Sequence, residues 1–140
     1  MDKNGPVIII EDDEDDQEFL KQVFKKLDYP NEIIFFSDGQ AALEYLNHPS
    51  ILPFLILSDI NLPKLSGFEL RDKLKTDADL AIKCIPYLFF STAINQKMVI
   101  DAYSASAQGF FVKQNSMAAL EKTISVIMEY WKMCVAPNNF

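Results

Sequence analysis

One set of residues in the sequence has the types and placement that suit phosphoryl chemistry. Two acids, Glu11 and Asp12, follow the apolar run Val7 to Ile10, and a third, Asp59, follows a run that closes on Leu57 and Ser58. Ser91 ends the run Tyr87 to Phe90, and Lys113 follows Phe110 to Val112. Carboxylates held within ~4–6 Å of one another repel and raise each other's pKa. A divalent cation relieves that repulsion. Oxygen ligands of this kind suit Mg²⁺, which keeps several waters and takes only one or two protein carboxylates. A lysine adds a compact positive charge that holds an anion such as phosphate, and a serine hydroxyl adds a donor and an acceptor. A cation, a lysine and a hydroxyl around one carboxylate make a site for phosphoryl transfer, with Asp59 as the nucleophile that forms an acyl phosphate.

Residues so far apart in sequence meet only if the fold brings them together. Five apolar runs, at 7–10, 33–36, 54–57, 87–90 and 110–112, are β-branched or aromatic and nearly continuous. That is the pattern of strands covered on both faces. Helical spacing lies between them. Phe19, Leu20, Val23, Phe24 and Leu27 form one helix face that stops before Pro30. Asp38 caps a second helix carrying Ala42, Leu43 and Leu46, which ends before Pro49. Ser66-Gly67-Phe68-Glu69 reads as a capping box opening a third helix with Leu70 and Leu74. Asn95 caps a fourth with Met98, Val99, Ala102 and Tyr103, and Asn115 or Ser116 caps a fifth with Leu120, Ile124, Ile127 and Trp131. Strand then helix, five times over, predicts a doubly wound α/β fold with a five-stranded parallel sheet, right-handed crossovers and five helices. In such sheets ligands bind beyond the carboxyl ends of the strands, which is where Glu11, Asp12, Asp59, Ser91 and Lys113 stand. The tail 136–140 is expected to fray.

Composition narrows the function classes. A chain of 140 residues fits one domain, here with a core of about 6–131 and a tail of about 132–140, and its 49% hydrophobic and 24% charged residues exclude wholesale disorder. A net charge of -7 works against nonspecific nucleic-acid binding and favours basic partners or cations. Cys84 and Cys134 have neither disulfide-framework nor zinc spacing, so a reducing compartment is expected. No apolar run approaches the ~18 residues of a membrane span, and no signal-peptide pattern opens the chain. The expectation is a cytoplasmic protein with no membrane or nucleic-acid partner. The acid run lacks the glycine and bidentate glutamate of an EF-hand. No phosphate-cradling glycine motif is present, and His48, the single histidine, has no triad spacing.

Val7-Ile8-Ile9-Ile10-Glu11-Asp12-Asp13, Leu57-Ser58-Asp59-Ile60-Asn61-Leu62-Pro63 with Gly67, Ser91-Thr92-Ala93, and Gly109-Phe110-Phe111-Val112-Lys113 resemble the receiver domain of bacterial two-component response regulators. The resemblance covers roughly residues 6–131, and the chain is similar to the stand-alone receivers. The helix end around Tyr130 and Trp131 is similar to the small regulators that partner bacterial phytochromes. It implies a flavodoxin-like sheet of order 2-1-3-4-5. It also implies that Asp59 is the phosphoacceptor for a histidine kinase or phosphotransfer protein, and that Mg²⁺ is held by Asp12, Asp59 and the Asn61 carbonyl with Glu11 acting largely through water. Ser91 would bond a phosphoryl oxygen and Lys113 would pair with the phosphoryl group. Phe110 stands at the family's switching aromatic position, without the hydroxyl a tyrosine would bring, so Ser91 and Phe110 would carry the switch by packing. The readout would be a downstream protein partner, dimerisation through the fourth and fifth helices, or onward phosphotransfer. The family usually has proline after the lysine; Gln114 stands here, which leaves the Lys113–Gln114 peptide to be either trans with an altered loop or strained.

Plainer readings compete. Asp13 to Asp16 read as solvated acids that supply negative charge to a helix N-terminus, and Phe110 fits plain core as well as a switch. Two other functions stay open. A receiver-shaped interaction module that is never phosphorylated would be marked by a missing acid, hydroxyl or lysine, and all are present. An aspartyl-nucleophile phosphatase typically has a second aspartate two residues after the nucleophile as general acid; Asn61 cannot donate that proton.

Overall fold

Each apolar run becomes a strand because alternate side chains find cover on opposite faces. The computed structural model describes residues 1–92 and 94–140, so Ala93 of the Ser91-Thr92-Ala93 motif lies outside the described residues. The strands are β1 (Val7–Ile10), β2 (Ile33–Phe36), β3 (Leu55–Ser58), β4 (Tyr87–Ser91) and β5 (Gly109–Val112). They pair in parallel throughout, in the order β2-β1-β3-β4-β5, as the resemblance implied. Val7, Ile9, Leu55, Leu57, Leu88 and Phe90 pack on one face beneath α1 (Glu14–Leu27) and α6 (Met117–Met133). Ile8, Ile10, Ile56, Tyr87 and Phe89 pack on the other beneath α2 (Gly39–Leu46), α3 (Gly67–Thr76), α4 (Ala78–Ala81) and α5 (Gln96–Ser104). Cover on both faces is why the strands read as unbroken apolar runs.

The helix starts follow their caps. Asp13 accepts from the Asp16 amide, Asp38 from Ala41, Asn95 from Met98 and Ser116 from Ala119. Ser66 and Glu69 form both bonds of a capping box. The five expected helices are present, and a sixth joins them among the described residues. Asp77 ends α3 in an extended conformation, then accepts from the Asp79 and Leu80 amides and starts the single turn α4, which buries Leu80. One turn is too short to show helical periodicity in sequence. The fourth and fifth helices of the sequence reading are therefore α5 and α6. The tail differs from expectation too. The Ala136 amide donates to Asn139 Oδ1 at 2.7 Å, closing a 3-10 turn at Pro137–Asn139, and Ala136 is buried against the α1–α6 layer. No described peptide bond is cis, so Lys113–Gln114 is trans. Among the described residues no helix is long and apolar enough to cross a membrane.

Candidate functional site

Register assembles the site. Ile10 lies opposite Ser58, and Ser91 opposite Val112, so the residues that follow these strands share one rim. The backbone continues the ladder there: Asp59 N–H donates to Ile10 O at 3.0 Å, and Lys113 N–H donates to Ser91 O at 3.0 Å. Ser91 itself is buried at the end of β4.

The side chains then close on one lysine. Lys113 Nζ donates to Glu11 Oε1, to Asp59 Oδ2 at 3.2 Å and to Asp16 Oδ2 at 3.2 Å. Glu11 and Lys113 are almost wholly buried, with side chains 2% and 8% exposed, whereas Asp59 is 16% and Asp16 39% exposed. Asp59 Oδ1 is turned back to accept the Ile60 amide at 2.6 Å. Carboxylate oxygens of Glu11, Asp12 and Asp59 lie within 4.8 Å of one another. Of the predicted residues, Glu11, Asp12, Asp59 and Lys113 thus meet directly. Ser91 stands beside them through the Lys113 amide, and Asn61 is exposed on the loop two residues past Asp59. Phe110 is half-buried in β5, with its ring centroid 6.0 Å from that of Phe89.

Asp16 corrects the sequence reading, which left it in solvent. It heads α1 one turn beyond Asp12, and its carboxylate reaches into the cluster. Its backbone amide bonds the Asp13 cap, but only the angle at which α1 leaves the rim turns its carboxylate inward, and no spacing in the sequence signals that.

Electrostatics follow from burial and crowding. Burial pushes the Glu11 carboxyl up to about 9, opposed by Lys113 and reinforced by Asp16 and Asp59. Burial works to lower Lys113, but Glu11 and Asp59 outweigh it and hold the ammonium above its ordinary value. Burial would raise Asp16, yet the neighbouring Glu11 carboxyl and the charge of Lys113 hold it low. Glu11 Oε2 is buried without a hydrogen-bond partner among the described residues, which costs free energy unless something pairs with it. Four acids around one lysine carry excess negative charge. That excess, the orphaned oxygen and the all-oxygen donor set fit a hard divalent cation of the Mg²⁺ kind.

Known proteins share this arrangement of chain. A family model for the response regulator receiver domain matches residues 7–125. Response regulator Rcp1 of Synechocystis sp. is 32% identical over 132 residues, covering 89% of this chain and 87% of that protein. The probable methanogenesis regulatory protein FilR2 of Methanothrix harundinacea is 30% identical over 129 residues, covering 89% of this chain and 82% of that protein. Among solved structures, the phosphorylated cyanobacterial phytochrome response regulator RcpA superposes with a TM-score of 0.82 at 27% identity, over 94% of this chain and 97% of that one. The Mn²⁺-bound form of Rcp1 gives a TM-score of 0.77 at 30% identity over the same shares, 94% and 97%.

Proposed function

This chain belongs to the response regulator receiver family, and from that premise we propose that it is a single-domain response regulator that accepts a phosphoryl group on Asp59 from a partner histidine kinase or phosphotransfer protein. One observation carries the reading: Asp59 shares Lys113 Nζ with a buried acid, in a pocket of carboxylates at the carboxyl rim of the sheet. Asp12, Asp59 and the Asn61 carbonyl are the residues that would hold Mg²⁺, with Glu11 behind them. The ion would neutralise charge on the transferring oxygens.

The chain's own groups account for the rest. The phosphorus–nitrogen bond of a phosphohistidine donor breaks as a phosphorus–oxygen bond to the Asp59 carboxylate forms, and the imidazole leaves. Lys113, already within 3.2 Å of Asp59, pairs with the incoming phosphoryl group. Ser91, whose carbonyl accepts the Lys113 amide, offers its hydroxyl to a phosphoryl oxygen. Moving Lys113 and Ser91 toward the phosphoryl group would bias β5, where Phe110 sits, and so alter the α5–β5–α6 face that a protein partner or a second copy reads. The likeness to RcpA makes a phytochrome-type sensor kinase the first donor to test.

Incubation with a small acyl phosphate and Mg²⁺ is expected to add one acid-labile phosphoryl group, read as a mass increase. Asp59→Asn is expected to add none; equal modification of the variant would end the assignment. Turnover of a phosphomonoester would favour a phosphatase instead.

A further inference from the structure

The chain that returns after Asp59 is held from behind by a residue outside the rim motifs. Tyr87 opens β4 and is wholly buried, its ring edge-on to Phe89 with centroids 5.2 Å apart. The Arg71 guanidinium lies over the Tyr87 ring, 5.7 Å from its centroid, while donating to the Ala105 and Ser106 carbonyls at 3.1 and 2.8 Å. Gln108 fixes the Tyr87 backbone on both sides: the Tyr87 amide donates to Gln108 Oε1 at 2.7 Å, and the Gln108 amide donates to Tyr87 O at 3.0 Å. A ring seated this way has one place to put its hydroxyl, and a buried hydroxyl is costly unless it is bonded.

That hydroxyl donates to the Gly67 carbonyl at 2.9 Å. Gly67 leads on to the Asp59 peptide, which Ser58 braces as well. Ser58 Oγ donates to Asp59 O at 2.7 Å. Gly67 N–H donates to Ile60 O at 2.8 Å, and Gly67 packs so tightly that a Cβ there would come 2.2 Å from Asp59 O. The peptide that carries the acceptor is thus gripped by Ser58 directly and, from the core side, by Gly67, whose carbonyl the Tyr87 hydroxyl holds.

We propose that Tyr87 is a positioning residue for Asp59, acting through Gly67 to hold the acceptor carboxylate toward Lys113 and the neighbouring acids. The inference rests on Asp59 being the phosphoacceptor and adds what fixes its direction. Misplacing a reacting group by a fraction of a bond length is felt in binding and in rate.

Tyr87→Phe keeps the ring and removes the hydroxyl. It is compared with the unaltered protein and with Ile124→Val, a core substitution on the opposite face of the sheet that softens the fold away from the site. All are studied at a temperature where circular dichroism shows each fully folded. The first readout is affinity for Mg²⁺ alone by calorimetry; the second is the rate of acyl phosphate formation from a small acyl phosphate donor. Tyr87→Phe is expected to weaken Mg²⁺ binding and slow phosphorylation by about three- to tenfold, the range of one lost hydrogen bond. Ile124→Val is expected to match the unaltered protein. Ser58→Ala should shift both readouts in the same direction as Tyr87→Phe, and the double variant should lose less than the product of the two, because both brace the one Asp59 peptide. Mg²⁺ affinity of Tyr87→Phe within twofold of the unaltered protein, or an equal loss in Ile124→Val, overturns the proposal. If the unaltered protein takes up no phosphoryl group, the acceptor assignment fails, while the Mg²⁺ comparison still decides whether Tyr87 positions the carboxylate.

Discussion

Glu11 and Asp59 leave the sheet from β1 and β3, central strands buried along their whole length, whereas Lys113 leaves it from β5, an edge strand. In β5 Phe110 and Phe111 are half-buried and Val112 is 37% exposed. The acids therefore sit on close-packed supports that resist displacement, and the lysine sits on a support with fewer buried neighbours and a lower cost of local rearrangement. A new charge on the acid side would be answered on the lysine side. The contrast gives physical grounds for expecting any switch at Lys113, Phe110 and the helices flanking β5, with the acid half acting as the fixed frame.

The largest effect that tests this contrast is on stability. Leu57→Ala empties a fully buried site in β3 and is expected to cost about 2–5 kcal/mol in urea unfolding. Val112→Ala, on the edge, is expected to cost within about 0.5 kcal/mol. Equal losses would mean that the two halves are equally braced. Next in size is Lys113→Ala, which removes the cation shared by three carboxylates. Losing one such preorganised charge should slow acyl phosphate formation by about 10²-fold, measured as a single-turnover rate with a small donor. An unchanged rate would show that the lysine only balances charge in the resting protein.

Much of this was legible in the sequence because strand ends and site residues coincide. Once the runs at 7–10, 54–57, 87–90 and 110–112 are taken as neighbours in one parallel sheet, Glu11, Asp59, Ser91 and Lys113 must share a rim, and they do. Short-range chemistry was equally readable, as the Ser66–Glu69 capping box and the Asp38 and Asn95 caps show. Features that depend on tertiary approach were not. Asp16 sits in an acid run that looks solvated, and only the entry angle of α1 turns it inward. Tyr87 reads as one more aromatic in an apolar run, and nothing in its spacing says that its hydroxyl meets Gly67, 20 residues away. Ala136 is buried because α6 ends near the α1 layer, which tail composition does not reveal.

The smallest effect sharpens the acid side itself. Burial raises the Glu11 carboxyl from its ordinary 4.5 to about 9. Between those values the folded, metal-free protein holds a proton that the unfolded chain has released. This contribution to stability therefore falls as pH rises from about 4.5 toward 9. The Lys113 contribution has the same sign but lies higher, since its raised ammonium is lost only above the ordinary 10.5. Mg²⁺ needs deprotonated oxygens, so its binding should expel the Glu11 proton. Calorimetric titration with Mg²⁺ at pH 7.5, in two buffers of different ionisation enthalpy, is expected to show release of up to about one proton, vanishing above pH 9 to 10 and absent in Glu11→Gln. The rise in melting temperature given by Mg²⁺ should grow from pH 6 to pH 9 for the same reason. Asp16→Asn removes a carboxylate that helps hold that proton, so it should lower the pH at which release disappears. Mg²⁺ binding with no proton release at pH 7.5 would mean that Glu11 is already ionised against Lys113, and that the two halves of the rim are locked as an ion pair before any cation arrives.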